Sequence, residues 1–112
     1  MDAKPLSHRN RIASYARKAS NAWQRLLLPK KVRHTIAEVR KRRLTHLSEL
    51  RLLKLARLCC EQEKTNTPGV IIEAGCALGG SSIVICSAKK PDRQFFVYDV
   101  FGMISPPRPI CV

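Results

Sequence analysis

The stretch from Val70 to Asp99 limits what this chain can fold into more than any other feature. Val70-Ile71-Ile72 is continuous and β-branched, as a strand buried on both faces of a parallel sheet is. It runs into Glu73-Ala74-Gly75-Cys76-Ala77-Leu78-Gly79-Gly80-Ser81-Ser82, where the glycines mark a tight turn. The apolar stretch Ile83 to Ala88 predicts a helix, Lys89 to Arg93 a polar connection, and Phe95 to Tyr98, closed by Asp99, a second strand. Strand, helix and strand in that order predict parallel strands joined by a right-handed crossover.

Helical patterns precede this unit. Ala, Arg and Leu mixed around Trp23 predict a helix over residues 11–28, stopped by Pro29. A second helical stretch begins near Val32. In a third, Leu47, Leu50, Leu53, Leu55 and Leu58 are expected on one side and Arg51, Lys54 and Arg57 on the other, with Thr45 or Ser48 as the cap and an end near Gln62. Thr65-Asn66-Thr67-Pro68-Gly69 is a turn by composition. The proline-rich tail from Ser105 is expected to be irregular.

A glycine turn between strand and helix lets backbone N–H groups approach a ligand, and three cofactor classes use that geometry. Gly75 to Ser82 fits a nucleoside-triphosphate loop except that Ser81 stands where the phosphate-binding lysine belongs. A dinucleotide site is approximated by Gly75, Ala77 and Gly80, with Asp99 at the distance of a ribose-binding acid, but its middle glycine is replaced by Ala77. The third class leaves no residue idle. S-adenosylmethionine carries a sulfonium and an amino group and no phosphate, so Glu73 beside the turn favours it, and Asp99 can accept the ribose hydroxyls. Turn glycines with Ser81 or Ser82 as a plain helix cap are the alternative without a ligand.

Glu73-x-Gly75-x-x-x-Gly79-x-Ser81 resembles the first motif of class I O-methyltransferases, and Phe96-Val97-Tyr98-Asp99-Val100-Phe101-Gly102-Met103 resembles their second-strand motif. The likeness is greatest to the macrocin O-methyltransferase group, whose Thr-x-Leu-Ser helix start and Pro-Gly turn have counterparts in Thr45-His46-Leu47-Ser48 and Pro68-Gly69. It covers about residues 43–107. The resemblance implies an α/β fold, a partial Rossmann-like β-α-β unit preceded by N-terminal helices. It also implies S-adenosylmethionine held by Glu73, Gly75, Ala77, Gly79, Ser81 and Asp99, and methyl transfer to a hydroxyl of a small molecule such as a sugar or natural product. A divalent metal (Mg2+) is implied too, held by later acidic residues that this chain lacks. Residues 108–112 do not resemble the family's continuation, so an incomplete chain retaining the cofactor-binding half is expected, with no catalytic residue assignable and the substrate's proton acceptor missing.

Charge divides the chain differently. Its 112 residues hold 21 Lys and Arg against 8 Asp and Glu, a formal net charge of +13, and the excess lies mostly before Leu58. Residues 1–43 therefore read as a basic, helical or partly disordered extension, partly disordered before Arg40, and residues 44–112 as the beginning of a methyltransferase domain. Lys30-Lys31-Val32-Arg33 and Arg40-Lys41-Arg42-Arg43 suit phosphate contacts, with only Trp23 and Tyr15 to stack on bases. Trp23 and Leu26 to Leu28 beside Lys30-Lys31 equally suit an anionic membrane surface.

No apolar run approaches the roughly 20 residues of a membrane span. Asp2 and Pro5 argue against a transit peptide despite the Arg-, Ser- and Ala-rich start. The odd cysteine count (Cys59, Cys60, Cys76, Cys86, Cys111) without C-x-x-C spacing indicates no disulfide framework or zinc site, and a reducing cytoplasm is expected. Cys76 and Cys86 are expected as small buried hydrophobes, and His8, His34 and His46 as solvent-facing. Two strands with open edges predict marginal stability and self-association, as a homo-oligomer or as aggregate.

Overall fold

The computed structural model describes residues 8–102. Among them are four helices and two strands: α1 (His8–Leu26), α2 (Lys30–Lys41), α3 (Glu49–Lys64), β1 (Ile71–Ala74), α4 (Gly80–Ala88) and β2 (Phe95–Tyr98). The proline-rich tail lies outside the described residues.

Helix boundaries follow local chemistry. Pro29, extended at φ −56° and ψ 147°, separates α1 from α2 and occupies the position before the first turn of α2. Arg43, in the left-handed region at φ 54°, turns the chain out of α2. The cap of α3 is Ser48, whose hydroxyl accepts from the Arg51 N–H at 3.4 Å, with Glu49 in the first turn. Thr45 instead accepts from the Leu47 N–H at 3.0 Å and shapes the approach. Helix α3 runs to Lys64, two residues past the expected end, and Asn66 at φ 52° follows it.

The core joins Leu28, Val32, Ile36 and Val39 to Leu52, Leu53 and Ala56 of α3 and Val84 of α4. Val32, Ile36 and Val39 recur at four- and three-residue spacing, one stripe of a helix. Residues 30–41 thus form a helix that contributes to the core. Their apolar stripe is easily overlooked among the charges that flank it. The buried face of α3 also differs from the expected one. It is Leu52, Leu53, Ala56, Cys59 and Glu63, and Leu58 is exposed.

Two polar ties hold this arrangement. Glu49 pairs with Arg25 of α1 and with Arg40 of α2, the latter at 2.7 Å. Glu63, buried at the end of α3, pairs with Arg93 and accepts the Lys90 N–H at 2.9 Å. Arg93 also donates to the carbonyls of Gly69 and Thr67 at 2.9 and 2.7 Å, which ties together the two turns that precede β1 and β2.

The sheet is parallel, β1 beside β2, with Ile71 opposite Phe95, Ile72 opposite Phe96, Glu73 opposite Val97 and Ala74 opposite Tyr98. Alternation puts Ile71, Glu73, Phe95 and Val97 on the half-buried side. The other side is uncovered, contrary to burial on both faces: Ile72 is 62% and Tyr98 61% exposed. No helix among the described residues is long and apolar enough to cross a membrane.

Candidate functional site

The turn between β1 and α4 is built from left-handed backbone. Gly75, Ala77 and Gly79 take φ values of 83°, 49° and 89°, of which only the alanine carries a steric cost. The Gly75 N–H donates to the Tyr98 carbonyl at 2.7 Å and extends the parallel ladder past the strand ends. The Gly79 N–H closes on the Cys76 carbonyl at 2.8 Å, and the Gly79 carbonyl accepts the first helical bond of α4, from Ile83, at 3.0 Å.

Asp99 stabilises the strained residue. Its carboxylate accepts the Ala77 N–H at 3.0 Å through one oxygen and the Phe101 N–H at 3.1 Å through the other. These donors, Phe101 first and Ala77 second, hold the Asp99 carboxyl below its ordinary range, so it is ionised at neutral pH. Burial, and then Asp99 nearby, push the Cys76 thiol up, which makes it a poor nucleophile.

Glu73, at the penultimate position of β1, points to the α4 side and accepts the hydroxyls of both Ser81 and Ser82, one on each oxygen. A carboxylate at the first turn of a helix also meets the positive end of the helix dipole. From Glu73 to Ser82 the sequence holds no lysine or arginine, so the turn carries negative charge. That disfavours phosphates and favours a cationic ligand.

The structure thus brings all six sequence-derived residues to one end of the sheet. Gly75, Ala77 and Gly79 form the turn, Glu73 and Ser81 meet across its α4 side, and Asp99 grips Ala77 from β2. Gly75, Ala77 and Leu78 are exposed, so the site is an open ledge. A concavity of about 270 Å³ lies elsewhere, between Leu27, Leu28, Arg57, Cys60, Glu61 and Lys64.

Sequence reasoning gave too little weight to Gly80. Its N–H donates to the Leu44 carbonyl at 2.9 Å, and a Cβ there would overlap that oxygen and come within 2.8 Å of both the Leu44 carbonyl carbon and the Thr45 Cβ. The Gly79-Gly80 doublet was the available signal: the first glycine serves a backbone angle, the second a close approach. Ser82 likewise shares Glu73 with Ser81. Cys86 is exposed, contrary to its expected burial, whereas Cys76 is buried; His34 and His46 are exposed. Among the described residues no three His, Cys, Asp or Glu side chains group as metal ligands do.

Compared with protein-family models, with curated proteins and with solved structures, the chain shows no match in any of the three.

Proposed function

We propose that the Gly75–Gly79 turn with Asp99 is the adenosine-binding half of an S-adenosylmethionine site, on a Rossmann-like unit of the class I O-methyltransferase kind. The observation that carries this reading is the ionised Asp99 carboxylate at the end of β2. It is locked by backbone N–H groups against an exposed, left-handed turn.

The residues fit that cofactor. Two adjacent ribose hydroxyls present two donors to a carboxylate that is already oriented, and a charge-assisted contact of this kind contributes about 1.5–3 kcal/mol. Glu73 adds negative charge beside the turn where a sulfonium and an ammonium gain from it, and its two serine partners hold it there. The exposed Gly75 and Ala77 backbone gives the ligand close access. When bound, S-adenosylmethionine supplies an electrophilic methyl group, and transfer to a small-molecule hydroxyl requires that oxygen in line and deprotonated. This chain's described residues offer binding and orientation. They do not fit a divalent metal, and no step is assigned to one.

Calorimetric titration with S-adenosylhomocysteine tests the reading, with Asp99→Ala as the ribose-contact variant and NADH as the competing ligand class. Binding that the variant weakens about tenfold to a hundredfold is expected. No binding by a folded chain, equal binding by the variant, or tighter binding of NADH would each overturn it.

A further inference from the structure

Helix α1 is turned the wrong way round for a helix that only packs on a core. Ile12, Tyr15, Ala19, Trp23 and Leu26 lie at spacings of three and four and fall within an arc of about 80° at 100° per residue. That stripe faces solvent: Ile12 is 61%, Tyr15 71%, Trp23 65% and Leu26 67% exposed. The side turned inward is polar. Ser14, Asn21 and Gln24 are half-buried there, and the Gln24 side-chain oxygen accepts from Arg57 of α3 at 2.5 Å. Apolar burial in the core begins only at Leu28, past the end of α1. Core packing therefore does not explain the stripe.

Charge says what would cover it. Exposed Arg9, Arg11 and Lys18 flank the stripe, and α1 contains no acidic residue. The asymmetry extends further: from Ala3 to Ala37 there are nine lysines and arginines and no aspartate or glutamate. A second copy of this face would meet it with like charge. Duplex nucleic acid would use the cations and leave the aromatic stripe in water. A surface that is anionic outside and apolar just beneath satisfies both features of the one helix.

We propose that α1 docks this protein on an anionic lipid surface, lying in the plane of the interface with Ile12, Tyr15, Trp23 and Leu26 in the headgroup and upper acyl region. A helix of 19 residues is about 28 Å long, so the stripe reaches the membrane along its length. The cations gather anionic headgroups at its flanks, an attraction that salt screens over a distance of about 10 Å at 0.1 M. The cofactor ledge is on other elements, so this inference stands independently of the methyltransferase reading.

Trp23 is the chain's one tryptophan and reports the event directly. The full chain is mixed with phosphatidylcholine vesicles, with vesicles that also contain phosphatidylglycerol, and with duplex DNA, and Trp23 emission is followed with and without brominated acyl chains. Expected with the anionic vesicles are a shift of emission to shorter wavelength, quenching by bromine, and partitioning that falls as salt rises. Co-sedimentation of Tyr15→Asp should be weaker by roughly tenfold or more, since the change puts a charge at the buried edge of the stripe. Tyr15 is exposed, so the variant should keep its helix content by circular dichroism. No blue shift, equal binding to neutral vesicles, an unaffected Tyr15→Asp, or burial of Trp23 by DNA in preference to vesicles would each overturn the proposal.

Discussion

Gly80→Ala should destabilise this protein although alanine is the better helix former, and the size of the effect follows from the contacts. In isolation the change at the first residue of α4 would gain up to about 1 kcal/mol of helix propensity. The new methyl group would, however, overlap the Leu44 carbonyl oxygen and approach the Leu44 carbonyl carbon and the Thr45 Cβ to 2.8 Å, roughly 0.7 Å inside normal carbon contact. Two of those three atoms are backbone, so α4 must move away from residues 44–45. Overpacking of this kind costs about 1–3 kcal/mol, and the 2.9 Å bond from the Gly80 N–H to Leu44 is stretched, at about 1 kcal/mol. The net is a loss of about 2 kcal/mol, which in a domain of this size lowers Tm by roughly 10 °C. Thermal and urea unfolding followed by circular dichroism measure it. Gly79 is the control that separates mechanisms. A Cβ there meets nothing within 4 Å, but φ is +89°, so Gly79→Ala acts through backbone strain alone and Gly79→Asn should recover part of the loss. Gly80→Ser should recover nothing. A Gly80→Ala protein as stable as the parent would refute the close approach of α4 to Leu44.

Three further outcomes are expected. Arg93→Ala leaves Glu63 buried against the Lys90 N–H alone and should cost about 3 kcal/mol, read as a lower urea midpoint with an unchanged slope. Because the folded-state pKa of Asp99 is depressed, its contribution is present above the ordinary aspartate range and is lost as pH falls through the lowered value. The acid limb of the stability curve should therefore be shallower in Asp99→Asn, and carboxyl NMR should place the Asp99 midpoint below that of a free aspartate. Timed alkylation with mass spectrometry should find exposed Cys86 modified well before Cys59, whose thiol burial pushes up.

The parts of this fold legible in the sequence are those written in neighbouring residues. Pro29 as a break, Ser48 as a cap, four-residue strands ending beside a glycine turn, and Asp99 closing β2 all depend on contacts a few positions apart. What the sequence concealed depends on long separations. Glu63 and Arg93 are 30 residues apart, each ordinary among many charged residues, and only folding makes them a buried pair. Val32, Ile36 and Val39 were masked by five lysines and arginines within the same helix. Leu58, expected on the apolar side, is exposed and Leu52 is buried, because Arg, Lys and Leu alternate too closely in α3 for spacing to choose its buried face. The bare side of the sheet was concealed differently. Ile72 reads as a strand residue buried on both faces, yet it lies exposed beside Phe96 and Tyr98 on that side. At the ledge, residue types pointed to Glu73 and Asp99. The serine pair on Glu73 and the amide grip of Asp99 on Ala77 required the fold.

Binding of an adenosine-bearing cofactor by the turn and Asp99, as proposed above, is read directly in an amide-resolved NMR titration with S-adenosylhomocysteine. Saturable shifts confined to the amides of residues 73–82 and 99–102 are expected, with those of α1 and α2 unmoved. Shifts that gather on the basic helices, or a folded chain whose spectrum does not change, would contradict it.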